Sequence, residues 1–280
     1  MNKKRCAAAA AGAALGAAWL SHHENHCLDV CHVTVRNALL PASFAGYRIL
    51  HISDLHAARF GFRQKKLIRQ LRMSAADGIV ITGDLIDRCR TTKEHLKPVQ
   101  QLIEQAVKLA PVYYVPGNHE AVSSVYPYLK QLLLDQGVQV LENSKLELSR
   151  NAQTISLVGL KDKKFYPYEP ERFLQNLHNL MQSVETPFSI LLSHRPEYFA
   201  AYAQEQVSLA FCGHAHGGQI VVPGLGGLYA PDQGILPSYT DGAYEQQGCT
   251  MIVSRGLGNS RAPQRINNHP QLIVVTLQNE

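Results

Sequence analysis

The chain has 280 residues, 45% of them hydrophobic, enough for one large globular domain or two small ones. Its net charge is +5 with histidine neutral, and charged residues make up 18% of the chain with no long run of one sign. That balance excludes the basic stripe of a nucleic-acid binder, so no stable nucleic-acid partner is expected. Six cysteines (Cys6, Cys27, Cys31, Cys89, Cys212 and Cys249) are too sparse for a disulfide framework at this length. Cys89 and Cys212 read as small packed side chains rather than metal thiolates.

The N-terminus stands apart. Lys3, Lys4 and Arg5 precede the uncharged run Cys6–Leu20, the pattern of a secretory signal or signal anchor. As a helix its fifteen residues would cover about 22 Å, short of the roughly 30 Å hydrocarbon core. The expectation is membrane association through this segment, or export. "HHENHCLDVCH" (22–32) mixes zinc-type ligands, but its spacing fits no common finger and it reads as a mobile linker. Residues 1–45 are thus an anchor-like segment and linker, and 46–280 one domain.

From residue 46 the pattern is regular. "YRILHIS" is a buried strand ending in "DLH". "FRQKKLIRQLRMSAA" is a helix with Leu67, Ile68 and Leu71 on one face. "GIVIT" is a strand ending in "GDLID", and 93–110 is helical. "VYYVP" is a strand ending in "GNHE", followed by a helix through "YLKQLLLDQG". "VQVLENSKLELS" and "AQTISLVGL" are strands joined by short turns. A helix near 171–182 precedes the strand "FSILLS", which ends in "HRP", and "VSLAFCG" ends in "HAH". Strands near 218–222, 250–254 and 271–277 complete the chain. Strand–helix alternation implies an α/β domain with parallel strands.

The polar residues follow the strands. Asp54 and His56, Asp84 and Asp87, Asn118 and His119, His194, then His214 and His216 each come directly after one. In open α/β sheets the crevice beyond the carboxyl ends of strands is where ligands sit. Carboxylates, imidazoles and an amide would meet at one edge, a donor set suited to transition metals. The glycines around His214 and His216 leave a bare backbone on which two imidazoles can converge.

"DLH" at 54–56, "GDLID" at 83–87, "GNHE" at 117–120, "SH" at 193–194 and "GHAH" at 213–216 together resemble the calcineurin-like metallophosphoesterase family, in that family's order. "HGGQI" and "SRGLGNS" are similar to its bacterial branch of membrane-associated phosphodiesterases. The resemblance implies two facing mixed β-sheets flanked by helices, a four-layer sandwich. It implies that Asp54, His56 and His216 hold one metal, that Asn118, His194 and His214 hold another, and that Asp84 bridges them. His119 would stand above the metals to bind phosphate or protonate the leaving oxygen, with Asp87 orienting it. Glu120 has a weaker case, as a surface or supporting residue.

The implied cofactors are two divalent transition-metal ions (Mn, Fe, Zn or Ni), which generate hydroxide near neutral pH and offset phosphoryl charge. The implied function is hydrolysis of phosphodiesters or pyrophosphates at a membrane surface, on a substrate that could be lipid-linked. Two alternatives remain open: a UDP-2,3-diacylglucosamine-type pyrophosphohydrolase of lipid A synthesis, and a catalytically silent metal-bound scaffold. Pocket-lining residues are expected in "KFYPYEPERF" and "PGLGGLYAPDQGILPSY".

Overall fold

The computed structural model describes residues 16, 18–260 and 262–280. Its strands are, in chain order, β1 (Asp29–Arg36), β2 (Arg48–Ile52), β3 (Gly78–Ile81), β4 (Val112–Tyr114), β5 (Gln139–Val140), β6 (Ser144–Arg150), β7 (Gln153–Gly159), β8 (Ser189–Leu192) and β9 (Leu209–Cys212). Two short hairpins follow, β10 (Val221–Val222) with β11 (Gly226–Gly227) and β12 (Tyr229–Ala230) with β13 (Gly234–Ile235). The last strands are β14 (Gly242–Gln246), β15 (Cys249–Val253) and β16 (Gln271–Gln278). The helices are α1 (Lys65–Ser74), α2 (Lys97–Ala106), α3 (Asn118–Ala121), α4 (Tyr126–Asp135), α5 (Arg172–Gln182) and α6 (Phe199–Gln204).

The strands form two mixed sheets of six, ordered β1-β16-β2-β3-β4-β5 and β14-β15-β9-β8-β7-β6. Their apolar runs are buried on both faces, as strands between two layers must be. Successive residues of one strand serve different cores. Ile49 and Val80 pack with Leu157, Ile190 and Phe211 of the second sheet, while Leu50, Ile52, Ile79 and Ile81 pack with Leu67, Leu71, Val99 and Leu102 of α1 and α2. On the far side, Val158, Leu191, Ala210 and Met251 meet Phe173, Leu177, Phe199 and Tyr202 of α5 and α6. The fold is the expected four-layer α/β sandwich.

Four expectations need correction. Residues 29–36, read as linker, form β1, paired in parallel with β16 along its whole length. Val30 faces the helix-side core and Val33 and Val35 the core between the sheets. The interleaved Asp, Cys and His of this edge strand hide that alternation in the sequence. "VQVLENSKLELS" contains two strands, β5 and β6, which lie at the ends of different sheets. Cys89 is exposed, whereas Cys212 is buried as expected.

The fourth correction concerns membrane tethering and export. No helix among the described residues is long and apolar enough to cross a membrane. The described end of the expected anchor, residues 18–26, is helical and docked on the domain. Ser21 donates to Gln264, and Asn25 Nδ2 donates to the Pro263 carbonyl at 3.0 Å. Residues 1–15 and 17 lie outside the described residues.

β1 supplies cover that β16 otherwise lacks, and burying one Val or Leu side chain contributes about 1.5–3 kcal/mol. A chain lacking residues 1–36 should therefore melt at least about 6 °C below one lacking 1–27, at about 2–4 °C per kcal/mol. Thermal unfolding of the two truncations checks this; equal melting temperatures would show β1 to be dispensable.

Candidate metal centre

β2, β3 and β4 run parallel in one sheet and β8, β9 and β15 parallel in the other. Their carboxyl ends open onto one edge, where Asp54, His56, Asp84, His194, His214 and His216 lie in the following turns and Asn118 and His119 open the short helix α3. Five of these leave their strands in the left-handed backbone region: Asp54 (φ 52°), His56 (48°), Asp84 (52°), His214 (69°) and His216 (49°). That conformation costs a non-glycine residue energy and clusters at functional sites. Glycine is required beside them for another reason: a Cβ on Gly117 would run into the Asp84 carboxylate, and one on Gly213 into Ser53 and Asp54.

The ring nitrogens are aimed by outer hydrogen bonds. His56 Nδ1 donates to the Ile86 carbonyl at 3.2 Å and His194 Nδ1 to the Thr82 carbonyl at 2.6 Å. Each Nε2 lone pair then faces inward. His56 Nε2 is 3.3 Å from His216 Nε2, which is 3.4 Å from Asp54 Oδ1. His194 Nε2 is 3.3 Å from Asp84 Oδ2 and 3.1 Å from Asn118 Oδ1. Buried acceptors that converge on acceptors require a cation between them. His216 Nδ1 is buried with no hydrogen-bond partner among the described residues. The ligand atoms of Asp54, His56 and His216 lie within 4.8 Å of one another, as do those of Asp84, His194 and His214, and these clusters can bind metal.

Protonation behaviour agrees. Burial pushes His56 and His216 down to about 3 and His214 well below its ordinary value, so these imidazoles are neutral at pH 7. Burial alone would also lower His194, but the Asp84 charge and hydrogen bond raise it to about 10. Burial would raise Asp84, but His194, His119 and His56 hold it well below the usual carboxylate range.

Below the site runs a relay absent from the sequence reading. His51 Nε2 pairs with Thr82 Oγ1 at 2.8 Å, Thr82 Oγ1 donates to Ser53 Oγ at 2.8 Å, and Ser53 donates to Asp54 Oδ2 at 2.5 Å. Glu120 is likewise more than a surface residue. It is buried, and its carboxylate accepts the N–H groups of Asp84 (2.8 Å), Gly117 (2.8 Å) and Ile86 (3.3 Å), bracing two site loops. Burial and the nearby Asp84 push it up to about 8. Its position three residues after Gly117, as a helix-capping glutamate, was the available signal.

Arg195 was also missed. Fully buried, it is gripped by Asp162 through Nε (2.5 Å) and Nη2 (3.0 Å), while Nη1 reaches His214 Nε2 (2.8 Å) and Asp232 Oδ2 (2.5 Å). Glu197, His214 and Asp232 form a further cluster of potential ligands beside it. Arg195 lines a cavity of about 340 Å³ with Asp84, Asn118, His119 and His214. Lys164, Tyr229, Pro231 and Asp232 of the two expected pocket loops line it too.

Asp87 does not bond His119. Its Oδ2 is 3.8 Å from His119 Nδ1, which instead accepts the Arg88 N–H at 3.0 Å. Asp87 Oδ1 caps its own turn by accepting the N–H groups of Cys89 and Arg90, both at 3.0 Å, and Oδ2 takes Arg90 Nη2 at 2.7 Å. Burial would raise Asp87, but Arg90 and these N–H groups hold it at about 2. The same Arg90 nitrogen donates to the carbonyls of Asn259 (2.6 Å) and Ser260 (2.7 Å). This clamps the "SRGLGNS" loop so that Ser260 Oγ sits 3.2 Å from His119 Nε2.

The model of the calcineurin-like phosphoesterase family matches residues 47–218, which contain the whole donor set. The chain belongs to the calcineurin-like phosphoesterase family. Members are dinuclear metal-dependent phosphoric ester hydrolases, and this chain is a metallophosphoesterase whose His and Asp clusters are able to bind metal. An uncharacterized metallophosphoesterase, YkuE of Bacillus subtilis, is 30% identical over 97% of this chain and 93% of its own length. The UDP-2,3-diacylglucosamine pyrophosphatase LpxG of Chlamydia muridarum is 24% identical, covering 86% of each chain. Among solved structures, a dimetal phosphatase from Danio rerio overlays with a TM-score of 0.47 at 15% identity, over 76% of this chain and 88% of that one.

Within this phosphoesterase, Glu120 should matter more to stability than its position suggests. Glu120→Ala strands three N–H groups, and each buried unsatisfied group costs about 1–3 kcal/mol. Urea unfolding in chelator should show a loss of about 3 kcal/mol or more, with a smaller loss for Glu120→Gln. Wild-type stability in Glu120→Ala would contradict the bracing role.

Proposed function

We propose that this phosphoesterase hydrolyses phosphodiesters or pyrophosphates. Asp54, His56 and His216 would hold one divalent transition-metal ion, Asn118, His194 and His214 a second, and Asp84 both. The observation that carries this reading is the place of Asp84, whose Oδ2 is 3.3 Å from His194 Nε2, 3.8 Å from His56 Nε2 and 3.9 Å from His119 Nε2. When bound, such ions supply Lewis-acid charge for phosphoryl oxygens and activation of water. Imidazole with carboxylate suits Mn, Fe, Zn or Ni over all-oxygen magnesium or calcium sites.

The remaining work falls to side chains. His119 Nδ1 accepts a backbone N–H, so the proton of its neutral ring sits on Nε2, facing Ser260 and the cavity. From there that N–H can hydrogen-bond the leaving oxygen and stabilise the charge that builds on it. Asp87 acts at one remove, through Arg90 and the Ser260 loop. Arg88, Lys164 and Arg195 line the same cavity and favour an anionic substrate.

A second, narrower reading is a UDP-2,3-diacylglucosamine-type pyrophosphohydrolase with a lipid-linked substrate. It is favoured by the β12–β13 hairpin, which places Tyr229 on the cavity and carries exposed Ile235 opposite it. Leu225, Leu228 and Leu236 beside the hairpin are exposed as well. The likeness to LpxG points the same way.

The test compares an alkyl phosphodiester with a nitrophenyl one. General acid catalysis contributes about 10²–10⁴-fold, mostly where the leaving group is poor. His119→Asn should retain metal yet lower kcat/KM for the alkyl ester about a hundredfold more than for the nitrophenyl ester. An equal loss on both with metal intact would remove that role at the leaving oxygen. Bound metal without turnover in the wild type on any phosphoester would favour a catalytically silent scaffold.

A further inference from the structure

Away from the metal centre, the N-terminal segment brings together donors of a different kind. His23 lies on the helix of residues 18–26 and Cys27 comes just past its end, four residues on, so the two share one face of the last turn. The Cys27 N–H donates to the His23 carbonyl at 2.8 Å, which keeps that spacing helical. His269, from the loop before β16, meets them there. One ligand atom from each of His23, Cys27 and His269 lies within 4.8 Å of the other two. We propose that these three residues bind a further divalent metal ion of the zinc class.

The surroundings fit such a site. His269 Nδ1 faces Asp29 Oδ1 at 3.4 Å, and Asp29 Oδ2 is held by Arg255 at 2.9 Å. A carboxylate behind a ligating imidazole is the usual outer support of a metal site, fixing the ring and raising its basicity. His269 Nε2 is thereby left for the ion, and Glu24 Oε1 lies 3.5 Å from it. Cys27 is a free, half-buried thiol. Thiolate with two imidazoles selects zinc and related borderline-soft ions and rejects magnesium and calcium.

The ion would tie the N-terminal helix to the loop before β16, both of which flank the main site. Asn25 and His26 of that helix line a cavity of about 470 Å³ together with His56, Arg90 and Asn259. Asn25 already accepts from Asn259 Nδ2 and the Arg265 N–H, both at 3.0 Å. A metal at His23, Cys27 and His269 would fix this wall of the cavity.

The proposed dinuclear centre contains no cysteine, which separates the two sites experimentally. Cobalt(II) titrated into the full chain should give thiolate-to-cobalt charge-transfer absorption. Trp19, the chain's one tryptophan, stacks on the His23 ring with centroids 5.2 Å apart, so its fluorescence should be quenched in step. Both signals should persist in Asp84→Asn and disappear in Cys27→Ser and His269→Ala. Zinc should also slow alkylation of Cys27 in the wild type by about tenfold or more, since a metal-bound thiolate is withheld from reaction. That arm needs no variant to fold. Absence of the absorption in the wild type, its survival in Cys27→Ser, or unchanged alkylation of Cys27 with zinc would each overturn the proposal.

Discussion

Two carboxylates without solvent set the terms for the rest of the molecule. Asp54 and Asp84 are 0% and 1% exposed at the ends of neighbouring parallel strands. An isolated buried carboxylate costs several kcal/mol, so each must be matched by positive charge or by donors. The chain supplies N–H donors from His214 to Asp54 at 3.1 Å and from His119 to Asp84 at 2.9 Å. It supplies few other cations at the centre itself. Four imidazoles with lone pairs or protons facing inward complete the shell, and the left-handed turns at Asp54, His56, Asp84, His214 and His216 are the backbone form of the same demand. Two facing sheets make that strain tolerable, because every site loop leaves the end of a rigid, buried strand.

The geometry at this edge depends on outer groups as much as on the side chains that face inward. Thr82 illustrates it: its carbonyl orients His194, and its hydroxyl joins His51 to Ser53 and so to Asp54. Glu120 ties the loops of β3 and β4 together through backbone N–H groups, and Arg195 holds His214 from outside. Asp87 extends this logic across the cleft through Arg90 to Ser260. A change in any of these moves a donor atom without removing one.

Much of this was legible in the sequence because strand ends advertise themselves. A short apolar run followed at once by Asp, His or Asn places the polar residue at a sheet edge whatever the surrounding helices do. The ligand clusters and the layer order follow from that pattern and from the resemblance it carries. What stayed hidden was relational. β1 reads as linker because Asp29, Cys31 and His32 mask the alternation of Val30, Val33 and Val35. Asp87 was assigned to His119 through the resemblance, whereas the loop turns its carboxylate toward Arg90. Arg195 has no distinguishing pattern until Asp162 and Asp232 are brought beside it, and the capping position of Glu120 does not reveal its bond to the Asp84 N–H. The apolar segment up to residue 20 resembles an anchor in composition, yet the helix continuing from it packs through Ser21 and Asn25 on Gln264 and Pro263.

The central claim is that one carboxylate, Asp84, serves two ions at once. Ions sharing a carboxylate bridge stand about 3.5–4 Å apart and couple magnetically when both are manganese. Electron paramagnetic resonance of the chain loaded with manganese(II) tests this directly. The account predicts an exchange-coupled dimanganese signal from the wild type that is replaced by isolated-ion signals in Asp84→Asn. A wild-type spectrum of isolated manganese alone, at saturating metal, would contradict it.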